Sequence, residues 1–279
     1  MTFTTRFAPS PTGPLHLGHA YSALLAHDMA RAAGGRFLLR IDDLDQSRAR
    51  PEWEQQIYDD LAWLGLSWDE KPRRQSDHFD DYETVLDTLR ARALTFECQC
   101  TRRDIEAAAS APQEGAPLFG PDGRIYPGTC RAKDLSADEA TCTRLNMARA
   151  AKDLYARFIE TGPAFAGDHN LTQRDLTETI GDVVLSRRNM AASYHLSVVL
   201  DDAATGVTHV VRGEDLFEAT RIHVLLQTLL GLPVPRYHHH SLIRDGAGKR
   251  LAKRDDARAI AKFRDEGASP AEIREMVGL

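Results

Sequence analysis

The sequence predicts an α/β fold in which parallel strands are joined by crossover helices, with an inserted subdomain and a short helical tail. Three observations predict it. The first hundred residues alternate short apolar runs with helical periodicity. Near residue 98 the texture changes to paired cysteines, small residues and a Pro/Gly-rich stretch around Pro112–Gly128, which suits an insertion. Regular alternation then returns and runs to a basic loop at Arg244–Arg254. The expected division is residues 1–97 for the first half of the core and 98–180 for the insert. Residues 181–254 form the second half and 255–279 the tail.

Thr4-Thr5-Arg6-Phe7 reads as a strand running into Pro9-Ser10-Pro11-Thr12-Gly13-Pro14, which is closed to regular structure. Leu17, Tyr21, Leu24, Leu25 and Met29 fall at helical spacing, and Gly34-Gly35 supplies a stop. Arg36–Ile41 reads as a buried strand ending in Asp42-Asp43. Pro51 suits the first turn of a helix carrying Trp53, Ile57, Leu61 and Leu64. Asp77 is placed to cap another, with Phe79, Tyr82, Leu86 and Leu89 on its face. Residues 144–159 fit helix or strand equally. Strands are expected at Asp182–Arg188, Tyr194–Leu200 and Val207–Gly213, then a helix bearing Ile222, Leu225, Leu226 and Leu229. Tyr237–Ile243 reads as the last strand. Two short helices close the chain, the second capped by Ser269 with Pro270 next.

Composition narrows the function classes. With 279 residues, 42% hydrophobic and 27% charged, the chain is neither disordered nor collagen-like nor a coiled coil. No apolar run approaches the ~20 residues that span a bilayer, and the N-terminus lacks a secretory pattern, so a cytoplasmic protein is expected, with no membrane partner. The net charge of −6 argues against indiscriminate coating of nucleic acid but leaves room for a local basic groove. The four cysteines, at 98, 100, 130 and 142, are expected as thiols or metal ligands rather than a disulfide framework. No separate dimerisation segment is evident, and a monomer is the expectation.

Two stretches carry the chemistry. Arg6-Phe7-Ala8-Pro9-Ser10-Pro11-Thr12-Gly13-Pro14-Leu15-His16-Leu17-Gly18-His19 is a strand, a rigid turn, then two histidines at a helix N-terminus. Free N–H groups and the positive dipole end suit a polyphosphate there, and the imidazoles add donors to its oxygens. A lone His-x-x-His is otherwise only a capped surface helix. Gly248-Lys249-Arg250-Leu251-Ala252-Lys253-Arg254 sets four cations in seven residues after the last crossover. Such clusters are usually solvated surface, but loops at the carboxyl ends of parallel strands line the ligand crevice. The run His238-His239-His240 invites a metal reading, yet consecutive strand residues alternate faces, so these read as strand and pocket-wall residues.

Together the two halves resemble the class I aminoacyl-tRNA synthetases. His16-Leu17-Gly18-His19 is similar to their HIGH motif, and Arg250-Leu251-Ala252-Lys253-Arg254 to their KMSKS loop. Arg6–Gly13, Arg40-Ile41-Asp42-Asp43, Tyr194-His195-Leu196, Asp201-Asp202 and Val211-Arg212-Gly213-Glu214-Asp215 narrow the resemblance to the glutamyl group. It implies a Rossmann-type core and activation of L-glutamate by ATP, with Mg²⁺ accompanying the nucleotide. It places Arg6 and Arg212 on the glutamate carboxylate, Asp42 on the ammonium, and Ala8, Ser10 and Tyr194 in the same pocket. His16, Gly18, His19 and Lys253 would hold ATP, with His16, His19 and Lys253 stabilising charge as pyrophosphate leaves. Asp42 stands where the family has glutamate, about one methylene short, a gap a bridging water can span. Arg250 and Ala252 replace a lysine and a serine of the loop.

A glutamyl-tRNA synthetase continues past this loop into an anticodon-binding domain, whereas here residues 255–279 are too few for one. This resembles the glutamyl-queuosine branch of the group, which attaches glutamate to queuosine in the anticodon of tRNA-Asp. The alternatives are a truncated enzyme charging a tRNA 3′ end and a catalytically idle RNA-binding paralogue. The family pattern implies a structural Zn²⁺ on Cys98, Cys100, Tyr126 and Cys130. Cysteine counting alone would nominate Cys142 as the fourth ligand, and four reduced thiols without metal is the plain alternative. For RNA, Arg102, Arg103, Arg187 and Arg188 are candidate cations.

Overall fold

A computed structural model describes residues 2–109, 118–243 and 258–279. The chain opens as β1 (Thr4–Phe7), α1 (Leu17–Ala32), β2 (Arg36–Ile41) and α2 (Pro51–Trp63). A two-residue β3 (Arg73–Arg74) and a 3-10 turn at Gln75–His78 lead into α3 (Phe79–Ala91). β1, β2 and β3 pair in parallel in that order. Leu24 and Leu61, from the two predicted periodicities, are fully buried, which fixes the faces of α1 and α2. The predicted cap at Asp77 does not form. The 3-10 turn moves the start of α3 on by one residue, and His78 occupies the cap position with no side-chain capping bond.

β4 (Thr95–Cys98), α4 (Arg102–Ala109) and a small hairpin of β5 (Phe119–Gly120) and β6 (Gly123–Arg124) begin the insert. β7 (Cys142–Leu145) follows, then the short α5 (Met147–Ala150). The ambiguous 144–159 segment therefore holds both kinds of structure, because it continues into β8 (Ala156–Glu160). β9 (Gly167–Leu171), α6 (Gln173–Asp175), β10 (Val184–Arg187), α7 (Tyr194–Ala204), β11 (His209–Gly213), α8 (Thr220–Leu229) and β12 (Arg236–His240) complete the core. β10, β7 and β4 form an antiparallel sheet, while β11, β12 and β8 run parallel with β9 antiparallel at the edge. The Thr208 N–H donates to the Thr4 carbonyl at 3.0 Å, which ties the start of β1 to the approach to β11.

Tyr194–Leu200, expected as a strand, is the first part of helix α7. Ser193 caps it, accepting from the Leu196 N–H at 3.4 Å, and residues 195–199 are buried on every side. Because His195 and Ser197 are buried along with Leu196 and Val198, polarity does not mark a solvent face here, and Tyr194–Val198 alternates apolar and polar like a half-buried strand instead of showing a 3.6-residue period. The tail forms α9 (Ile260–Asp265) and α10 (Pro270–Val277), with the expected Ser269 cap made reciprocal by Glu272. Ile260 and Ile273 are fully buried in the cluster around α1, at ~1.5–3 kcal/mol for each such side chain. Arg274 pairs with Asp28 of α1 at 2.7 Å. Among the described residues no helix is long and apolar enough to cross a membrane.

Candidate active site

β1, β2, β11 and β12 end at one cavity of about 270 Å³. This is the crevice at the carboxyl edge of a parallel sheet, where α/β proteins hold ligands. The Pro/Gly turn after β1 is held across it, since Pro9 accepts from the Asp42 N–H at 3.0 Å. His16 and His19 sit at the start of α1. His16 Nδ1 accepts from the Gly18 N–H at 3.1 Å, and His19 Nδ1 accepts from the His16 N–H at 3.2 Å. Both neutral rings therefore carry their proton on Nε2, as donors suited to anionic oxygens. Gly18 lets the His16 ring pack close, since a Cβ there would lie 3.1 Å from the ring and push it aside by a few tenths of an ångström.

The cavity floor is an ion network. Asp202 accepts from Arg6 Nε at 3.0 Å and from Arg40 Nη1 at 2.5 Å. Burial works against its ionisation, but the two guanidiniums hold it below the usual carboxylate range. Arg40 also pairs with Asp42 at 2.7 Å, and burial pushes the Asp42 carboxyl up to about 6 despite that neighbour. Asp201, fully buried, gathers Arg73, Gln75 and Tyr82 at 2.7–2.9 Å.

Arg212 is different. It is 6% exposed and lines the cavity, yet it meets no carboxylate among the described residues. Its Nε–H donates to His239 Nε2 and an Nη1–H to His223 Nδ1, both at 3.0 Å. Nη2 donates to Thr220 Oγ1 at 2.8 Å and to the Leu216 carbonyl at 3.3 Å. Neutral acceptors fix the guanidinium without cancelling its charge, which leaves it for an incoming anion.

A second cluster lies in the insert. Cys98, Cys100 and Cys130 bring their sulfurs within 4.8 Å of one another. The Tyr126 hydroxyl stands 3.4 Å from Cys98 Sγ and from Cys100 Sγ, and it accepts the Cys130 N–H at 2.8 Å. A hydrogen bond from Cys142 draws the Cys98 thiol down to about 3, and burial pushes Cys100 up to about 11. Cys142 pairs with Cys98 across β4 and β7 but is not one of the three clustered thiols. The three cysteines can hold a metal ion.

The family model for the catalytic domain of class I tRNA synthetases (E and Q) matches residues 2–279. The glutamyl-Q tRNA(Asp) synthetase of Rhodobacter capsulatus is 64% identical over 99% of both chains. The one from Nocardia farcinica is 45% identical over 96% of this chain and 81% of its own. The chain belongs to the glutamyl-Q tRNA(Asp) synthetases. A crystal structure of a glutamate tRNA ligase from Elizabethkingia meningosepticum, in complex with its amino acid, matches this synthetase with TM-score 0.79 at 28% identity. The match covers all of this chain and 61% of that one.

In this synthetase Arg6, Ala8, Asp42, Tyr194 and Arg212 border the same cavity as His16, Gly18 and His19. Ser10 does not line it; it is exposed on the turn, where its carbonyl accepts the Thr12 N–H at 2.8 Å. Lys253, Arg250 and Ala252 lie outside the described residues. The flanks of that segment reach the site, with Ile243 in the cavity wall and Ala259 bridged to His16. Of the histidine run, His240 lines the cavity beside Ser22, His239 holds Arg212, and His238 bonds Thr161, so the three share no site. Arg102, Arg103, Arg187 and Arg188 are exposed on the insert side, and Arg102 and Arg187 line one cavity beside the cysteine cluster. Sequence reading missed Arg40, His195 and His223 as supports of the site. Arg40 had a signal, a charge inside the buried strand Arg36–Ile41, and His195 stood in the Tyr194-His195-Leu196 stretch that carries the resemblance, whereas His223 had none.

Proposed function

We propose that the enzyme activates L-glutamate with ATP to glutamyl-adenylate, without needing tRNA, and transfers the glutamyl group to the cyclopentene diol of queuosine in the anticodon of tRNA-Asp. The observation that carries this reading is Arg212, a buried guanidinium with no carboxylate partner among the described residues, facing a cavity beside paired histidine donors. The glutamate side-chain carboxylate would lie against Arg212 and Arg6, and the ammonium against Asp42, with Tyr194 at the rim. The α-carboxylate attacks the α-phosphorus of ATP, pyrophosphate leaves, and a diol hydroxyl then attacks the acyl carbon and releases AMP. No side chain acts as a nucleophile. His16 and His19, as Nε2 donors, stabilise charge on the phosphate oxygens, Gly18 lets the nucleotide approach the helix start, and Lys253 follows the leaving pyrophosphate. Mg²⁺ would accompany the phosphates.

The insert fits a structural Zn²⁺. Tetrahedral ligation at ~2.3 Å sets sulfurs about 3.8 Å apart, and the Cys100 and Cys130 sulfurs are 3.4 Å apart with the Tyr126 oxygen beside them. Bound zinc would supply a crosslink between β4 and the loop at Cys130. Cys98, Cys100, Cys130 and Tyr126 would fill its four positions.

Labelled glutamate, ATP and Mg²⁺ supplied with bulk tRNA from cells that make queuosine and cells that cannot tests the reading. Labelling of the queuosine-containing pool alone is expected. Equal labelling of both pools would establish 3′-end charging instead. Absence of glutamate-dependent ATP–pyrophosphate exchange without tRNA would overturn the tRNA-independent activation.

A further inference from the structure

Asp122 sits at the tip of the β5–β6 hairpin, in the insert, yet its carboxylate lies 3.2 Å from His195 Nε2 on α7 of the core. His195 Nδ1 lies 3.0 Å from His223 Nε2, and His223 Nδ1 lies 3.0 Å from Arg212 Nη1. We infer that Asp122 is a positioning residue that orients Arg212 through the imidazoles of His195 and His223, so that the insert completes the amino-acid site. The inference rests on the reading that Arg212 binds glutamate.

The direction of every bond follows from the ends of the chain. A guanidinium has only donors, so His223 Nδ1 must accept from Arg212. A neutral imidazole that accepts at Nδ1 carries its proton on Nε2, and burial together with the Arg212 charge keeps His223 neutral. His223 therefore donates to His195 Nδ1, and His195 donates from Nε2 to Asp122, whose carboxylate can only accept. Both ends demand the same order. On the opposite side His239 accepts from Arg212 at Nε2 and donates from Nδ1 to Glu160. Glu160 also takes the N–H groups of Gly162 at 2.6 Å and His239 at 2.9 Å. Arg212 is thus suspended between two relayed carboxylates, neither of which touches its charge.

Two buried histidines that merely satisfy each other would not need Asp122. Without an acceptor at its Nε2, however, His195 can shift its proton to Nδ1, where it faces the His223 Nε2–H. His223 must then reverse as well and present an N–H to the Arg212 Nη1–H. The hairpin carboxylate removes that reversed arrangement. His223 is 1% exposed, so water does not reach the inner ring, whereas Asp122, whose side chain is 42% exposed, shares a cavity with His195 and holds its Nε2–H by a charged acceptor where water would be a weaker, neutral one.

The test uses the full chain in glutamate-dependent ATP–pyrophosphate exchange, with Asp122→Ala, Asp122→Asn and Arg212→Lys, alongside ¹⁵N NMR of the histidine rings. Asp122→Ala should raise KM for glutamate about fivefold to tenfold with KM for ATP and Tm unchanged. Asp122→Asn should restore most of the loss, since an amide oxygen accepts the same bond. The wild-type spectrum should show His195 and His223 as Nε2–H tautomers, and Asp122→Ala should disturb that assignment. An unchanged glutamate KM in Asp122→Ala, where Arg212→Lys raises it, overturns the inference, as does a joint fall of Tm and rise of both KM values. An unchanged glutamate KM in Arg212→Lys refutes the glutamate contact itself, and the tautomer spectrum then still decides whether Asp122 orders the imidazoles.

Discussion

Asp202→Asn keeps the shape of the side chain at the cavity floor and removes the one negative charge that Arg6 and Arg40 share. Asp202 lies 3.0 Å from Arg6 Nε and 2.5 Å from Arg40 Nη1, and all three groups are buried. At an effective dielectric near 20, a pair of charges about 4 Å apart attracts by ~4 kcal/mol. Two such attractions disappear, while the cost of burying the carboxylate is recovered. Arg40 keeps Asp42 and Asp201, so the loss falls on Arg6, whose other bond is to the Val211 carbonyl at 3.4 Å. Breaking a buried pair from one side costs about 3–5 kcal/mol, a large part of the ~5–15 kcal/mol that holds a domain folded. Urea unfolding at neutral pH, followed by circular dichroism, should show that loss. A loss below about 1 kcal/mol would refute the argument, since it would mean that the burial cost of Asp202 already cancels both attractions.

The carboxyl of Asp42, pushed to about 6 by burial, should control glutamate affinity with pH. Protonation below that value removes the partner of the α-ammonium, so KM for glutamate should rise as pH falls through 6, and Asp42→Asn should flatten the profile. Because the folded-state value is raised above 3.8, the same group favours folding at low pH and its contribution is lost as pH rises through about 6. Glu160 has the opposite sign. Burial opposes its charge, but hydrogen bonds from His239 and Gly162 hold it at about 2, against 4.5 unfolded. Its stabilisation, ~3 kcal/mol by linkage, is present above pH 4.5 and lost as pH falls toward 2, and Glu160→Gln should remove that part of the acid-denaturation curve. Tyr126→Phe should lower bound zinc per chain, measured by atomic emission, and Cys142→Ser should not. Zinc lost in Cys142→Ser and retained in Tyr126→Phe would make Cys142 the fourth ligand.

The sequence by itself determined what depends on neighbours within a turn or two. The spacing of Leu17 to Met29 is enough for α1, the Ser269-Pro270 pair with Glu272 for α10, and the Pro/Gly run after β1 for the turn that carries His16 and His19. The cysteine spacing likewise nominated three thiols that the fold brings together. Long-range closure was not legible. Arg40 and Asp202 meet across 162 positions of sequence, and His195 meets His223, and through it Arg212, only because α7 packs against α8. The misread α7 shares that cause. Apolar periodicity records a boundary between protein and water, and a helix with protein on every side has no such boundary to record. Tertiary structure alone decided which charges are cancelled in the cavity and which, at Arg212, is left uncancelled, because that depends on partners the chain brings together only when it folds.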